Sequence, residues 1–404
     1  MAASSASTQQ TGRSPLLWGL WIIAAILGGL GFYQRFIHGD QAADFSSYVP
    51  WGLWVAAYIY FSGLSAGAFL IAAGAYTLKI KAFEPIARLC LLVALVTLCM
   101  GLMAIGLDLG HMERALLVLI RPQFHSMMTW MVWLYTAYFI LLLVMLSRSA
   151  KNAQPGKGAA TAGQGQQHLH GLGLIGIFLA LGFAGGAGAL FGAVAAREFW
   201  HTSLYPIYFI VGALASGAAL VTALAVCCCP ARTDTWRDLV ALLGRIVLVL
   251  VLVECVLEVA EYLVPAWYQI GSGFDTVQYV LFGPYWYVFW IFHVLLGVAL
   301  PLALLAEARG PGRIGLAGGL VAITFFAVRF NLVVPGLITP EIHGLAEAYS
   351  DPVGGKLSFL YAPTWFEWQV LLGIVAVGVA LWYVGIRLFP MVIPGSSQSS
   401  EVRS

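Results

Sequence analysis

Charged residues are scarce in this 404-residue chain. Asp, Glu, Lys and Arg make up 9% of it, hydrophobic residues make up 61%, and the mean hydropathy is +0.88. A soluble domain has about 25% charged residues, so this chain has too few to cover a surface that faces water. The composition excludes a soluble globular protein and predicts an integral membrane protein in contact with lipids. The net charge of +2 gives no sign of a nucleic-acid partner, and none is expected.

Motifs that hold metals and cofactors are also missing. The six cysteines all fall in apolar segments and none forms a CxxC pair, which argues against an iron–sulfur cluster or a zinc site in this chain. A transmembrane b-type haem needs paired axial histidines within spans, and of the eight histidines only His293 lies clearly inside one. No Walker loop or dinucleotide fingerprint is present either. We therefore expect no haem, iron–sulfur cluster or other metal in this chain.

Long hydrophobic runs are what the sequence has instead. A bilayer core of about 30 Å needs about 20 apolar residues per helix. Ten stretches qualify, namely 15–36, 50–78, 86–109, 129–146, 171–195, 204–229, 240–264, 285–306, 314–335 and 367–388. The expected fold is an all-α integral membrane protein with ten transmembrane helices, and an even number of spans places both termini on one side.

The distribution of Lys and Arg predicts which side that is. These residues are held back on the cytoplasmic face of membrane proteins. With a cytoplasmic N-terminus, the inner loops and tails carry fourteen of the twenty, the outer face carries five, and Arg329 lies within a span. The bias predicts a multi-pass protein of the bacterial cytoplasmic (inner) membrane with both termini in the cytoplasm.

The segments outside the spans differ in composition. Both ends of the chain are rich in Ser and Gln and are predicted to be disordered. A stretch rich in Gly, Ala and Gln is typical of a flexible linker, and the longest outer loop holds Pro, Trp and Tyr residues. The predicted parts are a cytoplasmic tail 1–14, spans 1–4 in 15–146, a cytoplasmic linker 147–170, spans 5–9 in 171–335, a periplasmic loop 336–366, span 10 in 367–388 and a tail 389–404.

A short internal repeat is visible. SAGAFL at 65–70 resembles ASGAAL at 215–220, four spans later, and the next span begins with Arg88 in one case and Arg245 in the other. Repeats of this kind are common in membrane proteins. The pattern predicts two parallel four-helix bundles, spans 2–5 and 6–9, with two extra helices.

Ionisable residues gather where the third span ends. Asp108 and His111 are three residues apart, so they are neighbours on one helical face if the helix continues that far. Glu113 and Arg114 follow, and His125 opens the fourth span. Oxidation of a quinol releases two protons, and a histidine or a partly desolvated carboxylate is suited to accept them. Asp108 and His111 are thus candidate catalytic residues, and all five are candidate quinone-binding residues. The alternative is a set of solvated charges on an interfacial loop.

Three carboxylates form a second set. Glu254, Glu258 and Glu261 lie at i, i+4 and i+7, one stripe on the seventh span. An ionised side chain at the bilayer centre costs about 3 kcal/mol or more, so these acids need partners. Arg329 and His293 lie at a similar depth, and we expect an Arg329–Glu258 pair. The five residues form either a proton path or a polar knot with a structural role.

Several motifs together resemble one family. The chain is similar to the NrfD, or polysulfide-reductase membrane-subunit (PsrC-like), family along nearly its whole length, and its ten spans resemble the longer branch, with DsrP-type subunits the favoured subgroup. The motifs are PWGLW (50–54), GLSAGAFL (63–70), FEPIARL (83–89), LDLGHMERA (107–115), FHSMMTWMVWLY (124–135), RFN (329–331) and YAPTWFEW (361–368).

The resemblance implies a membrane subunit that interacts with quinone (menaquinone or ubiquinone) and carries no redox centre of its own. It also implies a periplasmic ferredoxin-like iron–sulfur partner, together with further cytochrome or catalytic subunits, in a respiratory or sulfur-metabolism complex. Short family members have Asn and His groups where their first bundle helix opens, whereas this chain has PWGLW. Other residues must then supply the quinone's hydrogen-bond partners.

Three hypotheses follow for function. The first is an electron-transfer subunit of a quinone-linked oxidoreductase complex, with the quinone at the outer edge beside Asp108 and His111. The second is a proton-conducting subunit without quinone chemistry of its own. The third is a passive membrane anchor whose polar groups hold helices together.

Overall fold

Ten membrane-length helices make up most of the structure, a computed structural model that describes residues 15–152, 159–228, 233–307, 310–342, 344–348 and 358–389. We number them α1 (Pro15–His38), α2 (Leu53–Tyr76), α3 (Ala87–Asp108), α4 (Met127–Asn152), α5 (Ala159–Gly192), α6 (Tyr205–Cys228), α7 (Asp234–Tyr268), α8 (Val288–Ala306), α9 (Pro311–Ile338) and α10 (Trp365–Leu388). Each is long and apolar enough to cross a bilayer. No strand occurs in these residues, and the prediction of an all-α integral membrane protein with ten spans is confirmed.

The predicted segments between spans differ from the structure in places. Helices α4 and α5 extend into the predicted linker 147–170, of which 153–158 lie outside the described residues. The predicted outer loop is shorter than expected, because α9 continues to Ile338 and α10 begins at Trp365. The predicted tails lie outside the described residues, apart from Phe389.

Helix α8 departs from regular α-helical geometry. Val288–Ala299 is a π-helix, which passes into an α-helical segment at Leu300–Ala306. A π-helix has wider turns than an α-helix and occurs mostly as single turns, frequently at functional sites. His293 lies in the middle of this segment, so the π geometry fixes the direction in which its ring points.

The two repeated segments contact each other. Gly67 on α2 and Gly217 on α6 are the third residues of the repeated motifs, and a Cβ on Gly217 would lie 2.5 Å from the Gly67 Cα. Only glycine allows the two backbones to approach this closely. Residues that are equivalent in sequence therefore meet, as in a two-fold symmetric interface.

Neighbour relations follow the repeat. Helices α2, α3, α4 and α5 each contact the next, and α5 returns to α2; α6, α7, α8 and α9 do the same. The first and last spans lie beside the first set, since α1 packs on α10 and α10 packs on α3. The two-bundle arrangement stays a prediction, with these contacts in its favour.

Candidate functional site

The C-terminal end of α3 encloses one oxygen of a carboxylate. Asp108 is the last residue of the helix, and Leu109 after it is extended (φ −64°, ψ 123°). Asp108 is half-buried, and its Oδ1 atom is enclosed and has no hydrogen-bond partner among the described residues. A buried acceptor without a donor is uncommon in folded proteins. It is the kind of group that can accept a hydrogen bond from a bound molecule.

His111 does not share a helical face with Asp108, because α3 ends between them. The condition for that arrangement, a helix that continues as far as His111, is not met. His111 Nδ1 instead lies 2.9 Å from Glu113 Oε1, with side-chain exposures of 65% and 69%. Hydrogen bonds from the backbone amide of Glu113 itself and from His111 lower the pKa of Glu113.

The remaining predicted quinone-binding residues are also exposed. Arg114 Nε lies 4.0 Å from Glu113 Oε1 on a short 3₁₀ turn, and His125 lies in the turn before α4. Of the five predicted residues, only Asp108 has an enclosed side-chain atom. The other four are exposed and lie in the segment between the end of α3 and the start of α4. Their assignment to a quinone stays a prediction.

A second network of hydrogen bonds surrounds Glu367, a residue that sequence analysis missed. Its buried carboxylate accepts hydrogen bonds from the Tyr361 hydroxyl, from Thr364 and from the backbone N–H of Asp44 at 3.2 Å. Burial, followed by the charge of Glu367, raises the pKa of Tyr361. The Tyr361 hydroxyl in turn accepts from the N–H of Leu53 at 2.8 Å. These contacts tie the start of α10 to the start of α2 and to the segment before α2, and the charge of Glu367 also acts on Asp108.

The carboxylate stripe lies within the membrane-length helix α7, but its pairing differs from the prediction. Glu258 Oε2 lies 2.7 Å from His293 Nε2, and both side chains are buried. The described residues contain no Arg329–Glu258 ion pair, so the prediction of that pair was wrong. Arg329 is 1% exposed, and its guanidinium lies 4.3 Å from the ring centre of Phe209 and 5.1 Å from that of Phe325.

Arg329 instead faces Glu254 across a glycine. A Cβ on Gly212 would lie 2.6 Å from Arg329 Nη2 and 2.8 Å from Glu254 Oε1. Neither carboxylate oxygen of Glu254 has a hydrogen-bond partner in the described part of the chain, and neither do Nε and Nη1 of Arg329. The third acid of the stripe, Glu261, is half-buried and interacts with the Tyr205 hydroxyl.

A small cavity adjoins the Glu258–His293 pair. Its volume is about 20 Å³, and Glu254, Glu258, His293 and Thr324 are among its lining residues. A cavity above roughly 10–15 Å³ has space for one water molecule. Most of the cavity wall is apolar, so the polar groups of the pair face little other polar surface there.

No cluster of three or more His, Cys, Asp or Glu side chains suitable for a metal ion occurs in the described ranges.

The model of one protein family, described as "Polysulphide reductase, NrfD", matches residues 42–341. The chain belongs to the NrfD family. The matched part begins after α1 and ends before α10, so the NrfD match contains α2 to α9 and leaves out the two extra helices.

Individual relatives align almost end to end. A selenate reductase subunit from Mesobacillus selenatarsenatis is 33% identical over 395 residues, which cover 91% of this chain and 92% of that one. The Hdr-like menaquinol oxidoreductase integral membrane subunit of Archaeoglobus fulgidus is 28% identical over 94% of this chain and 95% of its own. The menaquinone reductase integral membrane subunit of Nitratidesulfovibrio vulgaris is 24% identical over 93% and 91%.

Proposed function

We propose that this NrfD-family chain is the quinone-interacting membrane subunit of a multi-subunit respiratory or sulfur-metabolism redox complex. It exchanges electrons between the quinone pool of a bacterial cytoplasmic membrane and a periplasmic iron–sulfur partner. The observation that carries the proposal is the similarity, over more than 90% of both chains, to membrane subunits named as those of a menaquinol oxidoreductase and a menaquinone reductase. The Lys and Arg distribution supports the orientation, with both termini in the cytoplasm.

Asp108 is the proposed group at the quinone. A quinol gives up two electrons and two protons when it is oxidised. The enclosed Oδ1 of Asp108 has a free lone pair to accept a hydroxyl hydrogen bond and then the proton. The exposed His111–Glu113 pair is next along the chain and is suited to pass the proton to water. In the direction of quinone reduction, the same groups supply protons.

Substitution at the outer end of α3 tests this proposal. In the purified native complex, Asp108→Asn keeps the shape of the side chain but cannot accept a proton, so quinol-dependent turnover is expected to fall at least 10-fold while the complex still assembles. General acid–base groups contribute typically about 10²–10⁴-fold. His111→Ala is expected to have a smaller effect. Glu307→Gln, an exposed acid at the opposite end of the spans, is the matched control. Wild-type turnover in Asp108→Asn contradicts the role of Asp108 and favours a passive anchor.

A proton-conducting function is the second candidate. It is favoured by the buried Glu258–His293 hydrogen bond beside a small cavity. Glu254 and Glu261 lie on the same helix as Glu258, and Arg329 lies on α9. Ionisable groups buried in a membrane mark proton routes in many transporters. For the complex in sealed vesicles, Glu258→Gln is expected to abolish proton movement coupled to turnover, with Glu307→Gln again as the control. Unchanged proton movement rejects the conduit.

A further inference from the structure

Arg35 is an unusual residue on α1. Most of this helix faces outward, and its buried residues are Gly28, Gly31 and Arg35. The two glycines pack against α10, where a Cβ on Gly28 would lie 2.1 Å from the Cα of Gly373. The arginine side chain is 3% exposed. Burying a guanidinium is costly unless its donors are satisfied, so the contacts of Arg35 need an explanation.

The guanidinium donates to two backbone carbonyls at the end of α3. Nε donates to the Leu107 oxygen at 2.6 Å, and Nη2 donates to the Leu109 oxygen at 2.7 Å. The guanidinium also lies 5.9 Å from the ring centre of the fully buried Trp54, whose own N–H donates to the Glu367 carbonyl. Carbonyls at the end of a helix lack partners within it, and a cation there is favourable.

These two carbonyls lie on either side of Asp108. By holding the peptide groups of Leu107 and Leu109, one side chain fixes the backbone of the residue between them. The helices α1 and α3 have few other close contacts, so Arg35 is a specific link between them rather than part of a broad interface. The charge of Arg35 also acts on the Asp108 carboxylate directly.

We propose that Arg35 is a positioning residue for Asp108. The fork of its guanidinium fixes the end of α3 so that Oδ1 of Asp108 is held toward the quinol hydroxyl. This inference rests on the proposed function. It adds that α1, which lies outside the matched family region 42–341, is part of the working site. Arginine is needed because its planar fork reaches two acceptors in a fixed geometry, which a lysine ammonium does not.

Steady-state kinetics of the assembled complex test the inference. For Arg35→Gln, kcat with quinol is expected to fall roughly 10- to 100-fold, the size of effect that a misplacement of about 1 Å produces. KM should change little. Arg35→Lys should retain an intermediate kcat, because it keeps the charge and one donor. Arg121→Gln removes an exposed arginine from the same outer loop and should leave kcat unchanged.

The combination with Asp108→Asn separates positioning from general stability. If Arg35 acts through Asp108, adding Arg35→Gln to Asp108→Asn lowers kcat no further. If Arg35 only stabilises the fold, the two losses multiply, and that result overturns the inference. So does a wild-type kcat in Arg35→Gln. Binding of a quinone-analogue inhibitor gives a second readout where turnover is too slow to measure. The single variant Asp108→Asn tests the proposed function, and normal activity in it refutes the role of Asp108 at the quinone. If Asp108→Asn is inactive but Arg35→Gln is normal, only the positioning role of Arg35 is refuted.

Discussion

Replacing Gly67 by alanine tests the contact between the two repeated segments. A Cβ at this position would lie 1.9 Å from the carbonyl oxygen of Ala213 and 2.9 Å from the Cα of Gly217. Ordinary carbon contacts are about 3.5–4.0 Å, so α2 and α6 must separate by roughly 1 Å or more. The obstructing atoms are backbone and cannot rotate away. Overpacking of this kind costs typically about 1–3 kcal/mol, and we expect the upper end of that range.

Gly63→Ala is the matched control for this change. Gly63 lies one turn earlier on the same helix, and its Cβ would meet Ala213 at 3.8 Å, an ordinary contact. Alanine also favours the helix over glycine by about 0.5–1 kcal/mol. Thermal unfolding in lipid nanodiscs at one scan rate should therefore give a lower Tm for Gly67→Ala and an unchanged or higher Tm for Gly63→Ala. Equal Tm values for the two variants would refute the close helix contact.

Two further predictions concern burial and pH. His293→Ala removes the hydrogen-bond partner of the buried Glu258 carboxylate, and breaking such a pair costs about 3–5 kcal/mol of stability. A normal Tm would contradict the pairing. His293→Gln keeps a donor and should lower the Tm less. Burial, helped by the charges of neighbouring groups, raises the pKa of Tyr285, outside the spans, to about 12. The unfolded chain releases this proton near pH ~10, so the contribution of Tyr285 to stability is fully present below that pH and is lost as pH rises to about 12. The alkaline drop in Tm should shrink in Tyr285→Phe, and an identical drop in both proteins would count against it.

The number and approximate extent of the spans were predictable because hydropathy measures directly what a bilayer selects. The ends of helices were harder. LDLGH has no strong stop signal before its glycine, yet α3 ends at Asp108 and the chain turns. That one difference removed His111 from the helical face of Asp108 and left it exposed.

It was harder to predict which side chains pair within the spans than to predict the approximate depth of each one. Arg329 and His293 lie at similar depths, so spacing alone offers both as partners for Glu258. Which one pairs depends on rotation about the helix axes, and the π-helix of α8 changes the angle between successive side chains. Periodicity in a sequence assumes a regular helix and cannot include that change. The charge distribution places Arg35 among five outer-face charges, although its side chain turns inward to α3.

The two repeats share the glycine contact between α2 and α6 but differ in the polar side chains near it. Continued past the repeated motif, the same register pairs Tyr58 with Tyr208 and Ser62 with Gly212. In the first repeat the Tyr58 hydroxyl donates to that of Tyr135 at 2.9 Å, an uncharged pair. In the second, the missing side chain at Gly212 leaves room for the guanidinium of Arg329 and a carboxylate.

Charge within the described spans is thus concentrated in the second repeat, whereas the proposed quinone group, Asp108, is the last residue of α3 in the first. Groups that are far apart and share no partner contribute independently to function. Quinone chemistry and proton conduction, if both are present, should then be separable. Asp108→Asn would lower turnover itself at least 10-fold, whereas Glu258→Gln would leave turnover unchanged and remove the proton movement coupled to it.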